Sequence, residues 1–478
     1  MSIPPEIWKR IFSLAVNDGI LFQPGIPTAL TESAWWKNYR GCSDPLYKWK
    51  LTSPEQATDI LQRRSYATKK VFLSCFISYA DLRAHQAIIS TCTQWRQIGD
   101  EVLFQCLYFT HVAKVFGPNS TAMFLYGQWT KKIHIGPYIF LGTDSLSVEE
   151  YQEGIIRLIR HCPNVELFIV QRPLGSSFGP IMDALVHFSR HLHTVHLHIP
   201  GESVSKVICG LSSLPCIVAA RIDVETNASA TEDFPYLRLP NLQQIFLRGY
   251  VDTLLGRLAG CDLPSLRSFS LGNGTSIRAL PTVEEFLKHH RSKLVLLDLK
   301  IEVNVPLVLD LCPNVDTLAF NADLRIEPHD DAASNVVNRP HQLSTIGLHG
   351  LRYAFGVGTL YSQTNSSQAA YTARSNDLNM GALNKDNFPN LRRIRAVNRS
   401  LLEDLNQSNR PSRENGGYDR WLKWWSTCAD AAIRLEDCTG QLLGTLPDIE
   451  EGEDNEEEVD SEEEDEATQE DGFYEEDG

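Results

Sequence analysis

Apolar residues fall along this chain in a figure that keeps returning: one, a second three positions later, and a third two positions after that. The clearest copy is Leu242/Ile245/Leu247. Others are Val165/Phe168/Val170, Leu192/Val195/Leu197, Leu266/Phe269/Leu271, Leu294/Leu297/Leu299, Val315/Leu318/Phe320 and Leu343/Ile346/Leu348. Ile217/Ala220/Ile222 and Leu391/Ile394/Ala396 are weaker members. First positions from Val165 to Leu343 step by 27, 25, 25, 24, 28, 21 and 28 residues. Four copies share a lead-in: Cys162-Pro163-Asn164, Leu239-Pro240-Asn241, Cys312-Pro313-Asn314 and Phe388-Pro389-Asn390.

Two apolar residues two apart predict a short strand with one buried face, and the third enters the same core from the turn before it. One such unit cannot bury its face alone, so the units must stack. A period in the twenties with this pattern reads as a leucine-rich repeat. Between the strands, Tyr151–His161, then Ile181, Leu185 and Phe188, then Val204, Val207, Ile208 and Leu211, then Val283 with Phe286, mark helical faces. The expected fold is therefore an α/β horseshoe, a parallel β arc with outer helices. Lys132-Ile133-His134-Ile135 reads as its first strand. The Asn or Cys that follows the triplet in regular repeats is replaced by Pro173, Tyr250, Gly274 and Asp323 in four copies, which puts the usual side-chain ladder in doubt.

The step from Leu343 to Leu391 is 48 residues. Asn365-Ser366-Ser367-Gln368 inside it predicts a polar surface loop over about 351–388; the competing reading is an extra repeat that has lost its strand. Trp421, Trp424/Trp425 and Cys428 share one side of a helix, and Ile433-Arg434-Leu435 follows as a last strand, so 418–446 should cap the core. Residues 447–478 are acidic and without apolar periodicity, as in a disordered tail.

Near the N-terminus a second pattern appears. Ile3-Pro4-Pro5-Glu6-Ile7-Trp8 starts a helix well, and Ile7, Trp8, Ile11, Phe12, Leu14 and Ala15 cover more than one helical stripe. One part of that arc can pack internally while another docks on a partner. Later, Ile88, Cys92, Trp95 and Ile98 recur at helical spacing, and Val102-Leu103-Phe104 to Leu107-Tyr108-Phe109 closes the set. At these residues the chain resembles an F-box protein. The resemblance rests on Ile3-Pro4-Pro5-Glu6-Ile7 for the opening Leu-Pro-x-Glu-Ile signature with Ile11-Phe12 after it, on Cys92-Thr93-Gln94-Trp95-Arg96 for Cys-(Lys/Arg)-x-Trp-Arg, and on Leu103-Phe104 near the close. Boxes ahead of irregular leucine-rich repeats form a group abundant in fungi. The resemblance implies a small all-α box over 1–110 that binds a Skp-type adaptor and, through it, a cullin. Ile3, Pro4, Pro5, Ile7, Ile11 and Phe12 would then face the adaptor, and Trp95 would anchor the box interior. An insertion over about 17–86 interrupts the box; covering of the adaptor face by that insertion would leave it inactive.

Charge changes the picture less than its total suggests. The formal charge is −16, but 19 acids lie from Asp448 onward with no Lys or Arg among them. Without them 41 acids face 44 bases, so neither nucleic acid nor a charged surface is implied as partner. The eleven cysteines form no CxxC pair, no apolar run could cross a membrane and no secretory signal opens the chain, which predicts an intracellular protein, cytoplasmic or nuclear.

No phosphate-binding loop, HExxH motif or nucleophile elbow occurs, so the expectation is a protein without catalytic residues or cofactors. His196 and His198 sit two apart on a strand and could face a metal together, but no acid or cysteine stands at ligand spacing nearby; exposed side chains are the plainer reading. Target-binding candidates are the residues that alternate with the buried ones: His196, His198, Arg221, Phe246, Arg248, Asp298, Lys300, His349, Arg393 and Arg395. Phe246 with Arg248 offers an aromatic–arginine pair of the kind that dominates interfaces. Ser461 and Thr468, each followed by acids, are candidate phosphorylation sites. Together these features predict a substrate receptor of a Skp–cullin–F-box ubiquitin ligase, with a ligase-independent repeat scaffold carrying a vestigial box as the alternative.

Overall fold

The computed structural model describes residues 4–15, 28, 30, 91–109, 127–135, 147–227, 237–272, 274, 280–301, 304–323, 340–358, 366–408 and 410–444. These fall in one unit, Met1–Gly444; a second unit, Thr445–Gly478, lies outside the described residues. The acidic tail with Ser461 and Thr468, the insertion over about 17–86 apart from Thr28 and Leu30, and Ile3 therefore lie outside them as well.

Among the described residues, twelve strands form one parallel sheet whose spatial order is the sequence order. They are β1 (Cys106–Phe109), β2 (Lys132–Ile135), β3 (Leu167–Val170), β4 (Thr194–Ile199), β5 (Ala219–Val224) and β6 (Gln244–Gly249). After them come β7 (Ser268–Leu271), β8 (Leu296–Leu299), β9 (Thr317–Asn321), β10 (Thr345–His349), β11 (Arg393–Ala396) and β12 (Arg434–Glu436). The register follows the apolar triplets without a slip: Phe168, Val195, Ala220, Ile245, Phe269, Leu297, Leu318, Ile346 and Ile394 are successive partners. All nine triplets lie in one continuous core. This is a leucine-rich-repeat solenoid of the α/β class, as the periodicity predicts.

The helices close that core from one side. α1 (Pro5–Ala15) and α2 (Thr93–Phe104) precede the sheet, and among the described residues α3 (Val148–His161) is the first α-helix within the repeats. Ser147 and Glu150 form a reciprocal capping box at its start, and Arg160 and His161 lie at its C-terminal end, where cations are favoured. Its buried stripe is Tyr151, Ile155, Leu158 and Ile159. α4 (Phe178–Phe188), α5 (Val204–Ser212), α6 (Asp252–Ala259), α7 (Leu280–His290) and α8 (Val305–Leu311) repeat the arrangement. Cys162 and Cys312 are fully buried, and burial pushes their thiols up to about 11 and about 12, so they act as small core residues.

The missing post-strand Asn is replaced by a ladder before the strand. Asn164 Nδ2 donates to the Gln128 carbonyl at 2.7 Å, Asn241 to Pro215 at 2.7 Å and Asn314 to Ser292 at 2.9 Å. Ser265 takes the same place, donating to Pro240 at 2.6 Å, and Asn390 reaches the Gln342 side chain. Each tooth ties one repeat to the one before it, which is why Pro-Asn recurs ahead of the triplets. Asn241→Ala removes one tooth and should cost about 1 kcal/mol in urea unfolding at unchanged m-value. A loss below a few tenths would mean that water replaces this bond at no cost.

Three features differ from the sequence reading. Residues Cys106–Phe109, grouped with the box, form β1 and pair with β2, so the sheet begins two residues after α2 ends. The span expected to be a polar loop holds α9 (Ser366–Ala382), and β10 pairs directly with β11, so no strand lies between them. α9 docks through polar residues: Asn376 and Asn379 donate to the Ala322 carbonyl at 2.6 and 3.1 Å, and Asp377 receives Arg420 and Trp424. A helix with a polar buried face carries no apolar stripe to reveal it.

The third is the C-terminal closure, where α10 (Arg399–Gln407) intervenes before α11 (Gly417–Asp430) and β12 complete the cap. Trp421 is buried there, with its indole N–H on the Leu443 carbonyl at 2.7 Å.

Candidate interaction surfaces

α1 and α2 meet through an aromatic cluster. The Trp8 and Trp95 rings lie 4.4 Å apart, Phe12 and Trp95 5.2 Å, and Trp8 and Phe12 5.8 Å. Trp8 and Phe12 are one turn apart, so one face of α1 is spent on α2. Cys92 Sγ accepts the Trp95 amide at 3.4 Å at the start of α2, giving the cysteine of the motif a capping role. Lys9 and Glu101 form an ion pair beside the cluster. Ile7 and Ile11 lie on a neighbouring face and are 51% and 42% exposed. Pro4 and Pro5 are exposed too. Phe12, by contrast, is only 2% exposed; it belongs with Trp95 in the interior and is removed from the expected adaptor face.

No linker separates α2 from the sheet. Thr130 Oγ1 donates to the Phe104 carbonyl at 2.9 Å, and the Lys131 and Lys132 amides both donate to Gln105. The aromatic cluster is thus coupled to the first repeats through backbone bonds.

The second surface is the sheet face opposite the helices, and much of it is not open. His196, Asp298 and His349 are buried, which takes them out of the expected target-binding set. His349 Nε2 lies 2.7 Å from Asp298 Oδ1, reaching across β9 above the small Ala319. His196 stands 3.5 Å from Asp223 and His198 3.9 Å from Glu225. These acids sit at or just past β5, two residues beyond each histidine's register partner, where a scan along the β4 sequence does not find them. Each histidine therefore turns to its own carboxylate. Among the described residues no group of three His, Cys, Asp or Glu side chains could hold a metal ion.

Burial, with Arg221 close by, pulls His196 down to about 4, against the pull of Asp223. On β2, His134 is driven down to about 3 by burial and the nearby Lys132. Burial tends to raise Asp223, but the neighbouring His196 and Arg221 outweigh it and hold the acid down at about 2.

The accessible part of the face carries basic and aromatic side chains beside the half-buried Asp223 and Glu225. Arg248 and Arg393 are exposed, and Arg221, Phe246, Lys300, His198 and Arg395 are half-buried. The arginine that stacks on Phe246 is Arg221, with its guanidinium 4.3 Å from the ring centre, so the cation–π pair runs between β5 and β6 instead of along β6 to Arg248. Gly272 makes room beside them: a Cβ there would meet Phe246 Cζ at 3.1 Å and Arg248 Cβ at 3.2 Å. Arg395 is engaged with Glu436 and Arg399 with Glu403, so of the arginines at 392, 393, 395 and 399 only Arg392 and Arg393 are exposed.

Among the described residues no helix is long and apolar enough to cross a membrane. No protein-family model matches the chain, and no curated protein matches it. Among solved structures, the chain is similar to the crystal structure of a TLR13–ssRNA13 complex at 14% identity and a TM-score of 0.26. The match covers 56% of this chain and 42% of that one, so the chain spans less than half its length. A likeness at that level carries no argument about function, and the architecture rests on the chain's own geometry: a leucine-rich-repeat solenoid of twelve parallel strands.

Proposed function

We propose that the protein is a non-catalytic substrate receptor of a Skp–cullin–F-box ubiquitin ligase, working inside the cell. The observation that carries this reading is the division of α1 into two faces. Trp8 and Phe12 are used internally on Trp95, whereas Ile7 and Ile11 stand one turn apart and exposed. Two large aliphatic side chains left in water on a short helix favour a partner's apolar groove. They belong to the motif through which the chain resembles an F-box, so a Skp-type adaptor is the fitting partner. In this reading the repeat unit holds a target, and ubiquitin transfer is raised by effective concentration at the target's lysines. The exposed Arg248 and the Arg221–Phe246 pair are the natural anchors for that target.

The double substitution Ile7→Asp and Ile11→Asp tests the reading, because both side chains are exposed and neither contributes to the aromatic cluster. Purified wild-type protein should capture adaptor and cullin. The double variant should lose at least ~100-fold in adaptor affinity, as expected for desolvating two unpaired carboxylates in an apolar groove, and keep the wild-type melting temperature. Equal capture by both proteins, or none by either, would leave the ligase-independent scaffold as the better account.

A further inference from the structure

Leu30, which lies between α1 and α2 in sequence, packs at the far end of the sheet. Thr28 and Leu30 are 9% and 8% exposed, and Leu30 lies against β10 and β11, more than 300 residues away in sequence. Two features of that corner match the chemistry of a peptide. One is a notch: Gly347 of β10 faces Ala319 of β9, and a Cβ on Gly347 would come within 3.2 Å of Leu30 Cδ2 and 2.9 Å of Ala319 Cβ. Val397 Cγ1, 3.3 Å from the same point, forms the other side. Only the missing side chain at 347 leaves space for a leucine.

The second feature is Arg395 on β11. Its Nε and Nη2 donate to Glu436 Oε2 at 2.9 and 2.6 Å, while Arg434 holds the other carboxylate oxygen at 3.2 Å. Glu436 is buried, so the guanidinium is fixed in a low-dielectric setting with a single orientation. Its remaining face points Nη1 at the Leu30 main-chain carbonyl, 2.7 Å away.

We propose that the Gly347–Arg395–Glu436 corner is a peptide-binding site for a leucine-bearing segment, and that the chain's own Leu30 occupies it in cis. The side-chain notch selects an apolar residue, whereas the arginine reads a carbonyl that every peptide has. Nothing in that pair of contacts is peculiar to this chain's own segment. A target peptide with leucine in the same place competes with Leu30 and must displace it. The site stands whether or not α1 binds an adaptor.

The test uses the full chain and a fluorescently labelled peptide of residues 24–36. A tethered segment presents itself at about millimolar effective concentration, so in wild-type protein it masks the site from added peptide. Leu30→Asp should empty the notch, and the labelled peptide should then bind at least tenfold more tightly than to wild type by fluorescence anisotropy. The same peptide carrying Leu30→Asp should not bind either protein. The variant's melting temperature should stay within a few degrees of wild type. Equal affinity for both proteins, no binding to the variant, or loss of cooperative folding on Leu30→Asp would each overturn the proposal. The last outcome would show Leu30 to be a fixed part of the core.

Discussion

Lowering the pH from 7 to 5 should destabilise the repeat unit by ~4 kcal/mol through two buried histidines alone. His134 and His196 are held neutral in the fold, at about 3 and about 4, against an ordinary value of 6.5. The unfolded chain takes up protons as the pH drops through 6.5, while the folded chain does not. Stability is therefore full above 6.5 and falls with pH until the folded values are reached. At pH 5 each histidine accounts for ~2 kcal/mol, because each pH unit below 6.5 costs ~1.4 kcal/mol. His290 and His341 are lowered by burial as well and act in the same sense. Asp323, Asp404 and Asp437 are raised by burial and act in the opposite sense, contributing stability that grows as the pH falls. Urea titrations at pH 7 and pH 5 for wild type and for His134→Gln with His196→Gln isolate the histidine contribution. The double variant should lose most of the difference between the two pH values; an unchanged difference would assign the acid sensitivity to other groups.

These two histidines also show where the sequence stops being informative. Alternation along β4 says that His196 faces away from the helices, and it does; alternation does not say whether that face is wet. Asp298 and His349 carry the same lesson, because their contact runs across β9 and joins residues 51 apart. Side chains on one strand are legible from period two, but pairing across strands depends on which neighbours are small. Ala319 and Gly347 decide it here, and neither stands out in a hydrophobic pattern.

What was legible is what repeats. The apolar triplets fix strand positions, strand faces and register, because a slip of one residue would turn a triplet out of the core. The Pro-Asn lead-in recurs in the sequence, but its role lies in a carbonyl of the preceding repeat, 2.7 Å from Asn241 Nδ2, which no local pattern specifies. Single features escaped the pattern. β1 has no full triplet before it, α9 buries polar residues, and the contact of Leu30 with Arg395 joins distant parts of the chain. In α1 the width of the apolar arc predicted two roles for one helix, but it did not assign Phe12 to the inner one.

Phe269→Ala should cost ~3–5 kcal/mol, and it should do so by breaking the solenoid in two. Phe269 is fully buried on β7, near the middle of the sheet, with its ring 4.5 Å from Phe286 of α7. Phe286 in turn lies 4.7 Å from His290, whose Nε2 is 3.2 Å from the Leu258 carbonyl of α6. One aromatic ring thus supports contacts that connect its own repeat to the one before it. Truncation to alanine removes most of the side-chain area and leaves a cavity that rigid neighbouring strands fill only partly. In a solenoid each repeat is stabilised chiefly by its nearest neighbours, so a weak central interface uncouples the two ends. Urea unfolding of the variant should then show two transitions where wild type shows one. Amide exchange should rise first at β7 and β8, while β3–β5 keep their protection. Phe269→Leu retains part of the ring's volume and should lose less, with a single transition. A loss below ~1 kcal/mol for the alanine variant, or one cooperative transition with exchange rising evenly along all strands, would mean that the core tolerates the cavity. Coupling between repeats would then be carried elsewhere, the asparagine ladder being the first place to look.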